Sequence, residues 1–266
     1  MISRIQQKFE DAKNESRKVL VSFVTAGDPK PEYTVPALEA LVRGGVDILE
    51  LGIPFSDPEA EGPSIQKSSE RALENGVSLK VVLQMVKEFR ENDSKTPVVL
   101  MGYLNSILAM ESFSESARRA GVDGLIVVNL PPEEADQFQS ELAENQIDLI
   151  YLLAPTTTDE RSAFIANKAT GFLYYVSLKG ITGAGHIEVD EVASKIAKLR
   201  SITDLPLCVG FGIKGPETAA KIGRFSDGVV VGSALVDLMS KSDDIESATK
   251  ELESAASNLR QGLDSI

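Results

Sequence analysis

Short apolar runs alternate along this chain with longer stretches in which apolar residues recur every three or four positions. The runs cover residues 19–25, 48–53, 98–103, 125–130, 149–153, 172–178, 207–211 and 228–232. They are rich in Val, Ile, Leu and aromatic residues and almost uninterrupted by polar ones. That pattern predicts parallel strands covered on both faces rather than strands with one wet side. Helical periodicity fills the intervals at 36–46, 64–75, 79–91, 133–145, 159–168, 189–199 and 216–223. In the first of these Leu38, Leu41 and Val42 form the stripe, and Gly44-Gly45 ends it. A helical turn at 5–9 precedes the first strand and is placed to cap the bottom of the barrel, and a long amphipathic helix at 245–263 closes the ring. Eight strands alternating with helices predict an α/β protein, a single (β/α)8 barrel domain over residues 1–266. A doubly wound open sheet is the structural alternative.

Composition narrows the function classes. The net charge of −13 argues against nucleic acid and anionic membranes as partners. It leaves room for an anionic small molecule, because backbone N–H groups at helix starts hold phosphate without a cationic side chain. The apolar runs are strand-length and none is long enough to span a bilayer. Ser3, Arg4 and Gln6 stand where a signal peptide would begin its apolar segment. The single cysteine, Cys208, lies in an apolar run and reads as a buried, inert thiol. A cytoplasmic protein is expected.

In such a barrel the reacting groups stand at the C-terminal ends of the strands. Three of those ends, after strands 6, 7 and 8, carry glycines: Gly180-Ile-Thr-Gly183, Gly210-Phe-Gly-Ile213 and Gly232-Ser233. Together Gly183, Gly212, Gly232 and Ser233 could present N–H groups to one phosphate, helped by the positive end of a short helix starting near Ser233. Strand 2 differs, because Glu50 interrupts an otherwise apolar segment, Ile48-Leu-Glu-Leu-Gly-Ile53. A carboxylate there is either a structural group paired with Arg or Lys, or a proton donor and acceptor tuned by its surroundings. The following loop adds Asp57, Glu59 and Glu61. Lys179 and Lys214 fall in loops rather than pointing into the barrel as a Schiff-base lysine would. The lone histidine, His186, reads as a surface residue, so a histidine-based metal centre is not expected. Carboxylates beside a phosphate cradle suit proton transfer on a phosphorylated metabolite.

The run from Glu50 to Gln66, Glu-Leu-Gly-Ile-Pro-Phe-Ser-Asp-Pro-Glu-Ala-Glu-Gly-Pro-Ser-Ile-Gln, closely resembles the signature of tryptophan synthase α subunits. Phe23-Val-Thr-Ala-Gly-Asp-Pro29, Gly102-Tyr-Leu-Asn105 and the three glycine-bearing strand ends match in the same order, so the resemblance spans essentially the whole chain. It implies a lyase that cleaves indole-3-glycerol phosphate to indole and glyceraldehyde 3-phosphate by a retro-aldol step. Glu50 would be the general acid–base and Glu61 would accept the indole N–H. Phe23, Tyr103, Leu125 and Tyr174 would wall the indole, Thr182 would hold a loop closed, and Gly183, Gly212, Gly232 and Ser233 would bind phosphate. Pro54, Ser56 and Asp57 would meet a β subunit in an α2β2 heterotetramer. That partner would carry pyridoxal phosphate, and this chain would carry no cofactor.

The sequence departs from the family pattern at two positions that bear on chemistry. The family has Asp where this chain has Glu61, and the added methylene displaces the carboxylate by about 1 Å, a misplacement that can cost on the order of 100-fold in rate. Asn129 stands before Leu-Pro where the family commonly has Asp. Ser106 in place of a common Pro, and Leu178, are smaller changes. Two alternatives therefore stand beside the active subunit. One is a weakened α subunit that mainly binds and activates its partner, and the other is a free-standing indole-releasing lyase.

Overall fold

The computed structural model describes residues 2–176, 189–210, 212–242 and 244–266. Eight parallel strands close into one barrel in sequence order. They are β1 (Val19–Thr25), β2 (Ile48–Gly52), β3 (Val98–Gly102), β4 (Gly124–Val127), β5 (Asp148–Leu153), β6 (Leu173–Val176), β7 (Leu207–Gly210) and β8 (Gly228–Val231). The ring closes where β1 pairs with β8, Val21 facing Val230. Around it run α1 (Arg4–Asn14), α2 (Thr34–Arg43), α3 (Pro63–Glu74), α4 (Leu79–Asn92), α5 (Leu104–Leu108) and α6 (Phe113–Ala120). They are followed by α7 (Asp136–Glu144), α8 (Asp159–Lys168), α9 (Val189–Arg200), α10 (Pro216–Gly223), α11 (Ser233–Lys241) and α12 (Ile245–Asp264). No described helix is long and apolar enough to cross a membrane.

The continuous apolar runs follow from two cores, one on each face of the strands. Val19, Val21, Ile48, Val99, Ile126, Ile150, Cys208 and Val230 point into the barrel, and Ile5, Phe9 and Ala12 of α1 plug it from below. Phe9 meets Phe172 with ring centroids 5.7 Å apart. The intervening residues, among them Leu20, Leu49, Leu100, Leu125 and Leu149, face outward into the helical layer. Side chains that alternate in and out along each strand thus all find apolar cover.

Among the helices that differ from the sequence reading, two do so for clear local reasons. The second helix begins at Thr34, ahead of Pro36, because a proline in the first turn gives up an N–H that has no partner in the helix anyway. Helix α6, absent from the sequence reading, has a narrow stripe of Phe113, Ser114, Ala117 and Ala120, whose small side chains give a weak apolar signal.

The bottom of the barrel is held by carboxylates locked between arginines. Asp47 accepts two hydrogen bonds from Arg17 at 2.8 and 2.9 Å, one from Arg260 at 3.2 Å and the Leu20 N–H. Asp123 takes Arg4 and Arg90 at 2.7 Å each, and the Val98 N–H at 2.8 Å. Removing one member of such a buried set strands the charges left behind. Asp123→Ala is therefore expected to lower stability by about 3 kcal/mol in urea unfolding, without loss of the folded far-ultraviolet spectrum. A change under about 1 kcal/mol would show that the network adds little.

Candidate active site

At the opposite end of the barrel the inward-facing alternation opens into a cavity of about 440 Å³. Phe23, Glu50, Met101, Val128, Leu152, Tyr174 and Val230 reach it from the strands and the residues just beyond them. Glu61 and the start of α3 cover one side, and Gly212, Ile213, Gly232 and Ser233 close the other. The register sets Glu50 between Phe23 of β1 and Val99 of β3. The acid therefore stands on the cavity floor, directly above the apolar barrel core.

Glu50 is 1% exposed, and its Oε2 has no hydrogen-bond partner. Removal from water penalises the ionised form, and the charge of Glu61 adds to the penalty, so the Glu50 carboxyl is pushed up to about 8. Glu61 is half-buried, and its own desolvation pushes it up to about 7. Both carboxyls line the same mostly apolar cavity, and Glu50 holds its proton to higher pH than Glu61. No Lys, Arg or His lines this cavity among the described residues, so the structural reading of Glu50 as half of an ion pair is not met.

Glycines let the aromatic walls lie close. A Cβ on Gly52 would sit 2.6 Å from the Phe23 ring, and one on Gly210 would overlap the Tyr174 hydroxyl. Burial, followed by the nearby Glu50 and Glu61, pushes the Tyr174 phenol well up, so Tyr174 stays neutral and can donate. Tyr103 sits behind the acid loop rather than on the main cavity. Its ring stacks on Phe55 at 4.8 Å, and its hydroxyl accepts the Ala60 N–H at 3.1 Å. It thereby steadies the residue next to Glu61.

The far wall has the features of an anion seat. Gly232 precedes α11, and its carbonyl accepts the N–H groups of Leu235 and Val236, at 2.8 and 3.1 Å. The N–H groups of Ser233 and Ala234 come before this first intrahelical bonding, and no side chain caps the helix. Gly212, at φ +75°, lies across the same wall.

Other sequence expectations distribute unevenly. Leu125 does not line the cavity. It is wholly buried in the outer core between Leu100 and Leu149, because the alternation of β4 sends Ile126 and Val128 inward instead. The same period-two count selects Met101, Val128, Leu152 and Val230, which the family resemblance does not name. Thr182, Gly183, His186, Lys179 and Leu178 lie outside the described residues. Asn129 accepts the Leu104 N–H at 2.8 Å and so anchors the start of α5, a task the neutral amide oxygen performs. Pro54 and Ser56 border a separate groove of about 530 Å³ with Ile53, Phe55, Leu73 and Met110. Asp57 is exposed beside it and accepts from the Ser56 hydroxyl. Among the described residues no cluster of His, Cys, Asp and Glu is disposed to hold a metal.

The comparisons with known proteins agree with one another. Residues 9–264 match the family model described as "Tryptophan synthase alpha chain". The tryptophan synthase alpha chain of Marinobacter nauticus is 52% identical over 100% of this chain and 99% of the relative, and that of Methylococcus capsulatus is 50% identical over 99% and 100%. A crystal structure of tryptophan synthase subunit alpha from Legionella pneumophila str. Paris superimposes with a TM-score of 0.91 at 43% identity, covering 100% of both chains. With matches of this extent in sequence and in fold, the chain belongs to the tryptophan synthase alpha chain family.

Proposed function

We propose that this cavity carries out the retro-aldol cleavage of indole-3-glycerol phosphate, with Glu50 as the general acid–base and Glu61 as the carboxylate facing the indole N–H. The observation that supports it most strongly is the pairing of two raised carboxyls in one cavity, with the less buried one ionising first. Near neutral pH Glu50 then holds a proton to give while Glu61 is available as an anion. Glu50 protonates indole C3, which turns the ring into an electron sink, and Glu61 accepts the N–H and offsets the positive charge that develops there. The glycerol hydroxyl next to C3 returns a proton to Glu50. Its carbon–oxygen bond becomes a carbonyl, and the carbon–carbon electrons flow back into the ring. Indole and glyceraldehyde 3-phosphate leave, and Glu50 is again protonated.

Phe23, Leu152 and Tyr174 supply apolar area for the indole, and Ser233, Ala234, Gly232 and Gly212 supply the phosphate end. Side chains alone suffice for this chemistry, so the chain needs no cofactor. The separate groove beside Pro54 and Ser56, with Leu73 37% and Leu108 64% exposed nearby, suits an apolar partner surface. It is the face we assign to the pyridoxal-phosphate-dependent β subunit of an α2β2 assembly. Glu61 lines the cavity of Glu50 and adds its charge there despite the extra methylene, which favours the active subunit over the weakened one. We place the protein in the cytoplasm, with residues 1–266 acting as one catalytic domain.

Because the two carboxyls titrate as a coupled pair, kcat/KM for indole release is expected to follow a narrow bell. It should rise as Glu61 ionises near pH 7 and fall as Glu50 ionises near pH 8. A rate flat from pH 5 to 9 would remove both acids from the mechanism. Glu50→Gln should lower kcat on the order of 1000-fold with the β subunit present.

The same substitution should stabilise the fold at alkaline pH. Between 4.5, the ordinary value, and about 8, the unfolded chain has released the Glu50 proton while the folded protein still holds it. Wild-type stability therefore falls through this window, and the full cost is present above it. Glu50→Gln is expected to be more stable by on the order of 3 kcal/mol at pH 9 and by little at pH 4, read from urea unfolding at each pH. Equal stability at both pH values would contradict the burial argument.

A further inference from the structure

The helix behind Glu61 is fastened to the rim of β1 at two points one turn apart. Ser68 of α3 donates to the Ile65 carbonyl at 2.8 Å, so the 2.6 Å contact between hydroxyls leaves Thr25 as the donor to Ser68. Three residues further along both segments, Arg71 grips Asp28 with two bonds, Nε to Oδ1 at 2.6 Å and Nη2 to Oδ2 at 3.0 Å. Thr25, Asp28 and Ser68 are all buried, Asp28 completely. A buried ion pair of this kind adds less stability than apolar packing of the same volume, but the forked geometry fixes distance and angle together.

From this dock the helix reaches back to the acid. Gln66 donates its side-chain amide to the Glu61 carbonyl at 2.9 Å and, more weakly, to Pro58 at 3.4 Å. Its own N–H and that of Ile65 bind the Gly62 carbonyl at 3.0 and 3.1 Å. The path from β1 to Glu61 is thus an unbroken run of hydrogen bonds through one rigid helix. On the other side the Tyr103 hydroxyl holds the Ala60 N–H.

We infer that Asp28 and Arg71, acting through α3 and Gln66, are positioning residues that set the Glu61 carboxyl against Glu50. The inference rests on the reading of these two acids as the catalytic pair. The charged groups facing Arg71 are Asp28, Asp237 of α11 and its neighbour Glu70. The charged group bearing on Glu50 is Glu61 from the loop, and across the barrel Glu50 faces the neutral Tyr174 and Cys208. Of these, Glu61 alone is carried by the fastened segment, so loosening the dock changes one of Glu50's neighbours and leaves the others in place.

The test uses the full chain with its β subunit, and compares Arg71→Gln, Asp28→Asn and Gln66→Leu for indole release across pH. Each is expected to lower kcat about 10- to 100-fold, as a misplaced catalytic group does, while KM changes less than about threefold. The alkaline limb of the pH profile should move to lower pH as Glu61 withdraws from Glu50. Arg71→Lys, which keeps the charge but loses the fork, should fall between wild type and Arg71→Gln. The double variant Arg71→Gln/Gln66→Leu should be no slower than the slower single, because both act along one path. Should Asp28→Asn fail to fold, Arg71→Gln and Gln66→Leu carry the test, since neither side chain is fully buried. An unchanged kcat and pH profile with only a lower Tm, or an effect confined to KM, would overturn the inference. Glu61→Gln measured alongside separates the two claims. Full activity in Glu61→Gln would overturn the catalytic pair itself, whereas a dead Glu61→Gln beside normal Arg71 variants would overturn only the positioning role.

Discussion

The structure turns on one unfavourable burial. Glu50 points inward from an apolar strand, is almost wholly removed from water, and has an oxygen with no partner. In that setting the proton is retained to a pH at which ordinary carboxyls have long lost theirs. The core below, plugged by Ile5, Phe9 and Ala12, keeps water from relieving the penalty from beneath. Glu61, brought over the cavity by its own loop, adds a like charge that sharpens the difference between the two acids.

Other buried carboxylates in the chain are treated differently. Asp47 and Asp123 at the barrel bottom, and Asp28 at the top rim, are each held by arginine in short hydrogen bonds. These groups are tied into ion pairs and secure geometry. The barrel therefore divides its acids by whether an arginine is within reach, and the cavity of Glu50 and Glu61 has none among the described residues. The net charge of −13 is compatible with binding a phosphate ester, because the seat we propose for the anion is a helix start and glycine backbone rather than a basic patch.

Much of this was legible in the sequence, for reasons that also explain the misses. The strand pattern was strong because both faces of each strand are covered, and Glu50 stood out as one polar residue in such a strand. The inward set follows from counting by twos from Glu50 and its neighbours in register, which selects Met101 and Val128. The family resemblance points to Leu125 against that count, and Leu125 packs outward. Helix α6 escaped because its buried stripe is largely alanine and serine. The ion pair of Asp28 with Arg71 joins residues 43 positions apart, and no local pattern announces it. The placement of Glu61 against Glu50 likewise depends on tertiary packing through Gln66, which the residue types alone do not specify.

The most direct test of the account is the titration of the two carboxyls in the free protein, followed by carbon-13 NMR of side-chain-labelled glutamate and assigned with Glu50→Gln and Glu61→Gln. The account predicts one resonance titrating near 8 and one near 7, with the Glu50 transition moving to lower pH once Glu61 is neutralised. Two carboxyls that both titrate between pH 4 and 5, each indifferent to removal of the other, would contradict it.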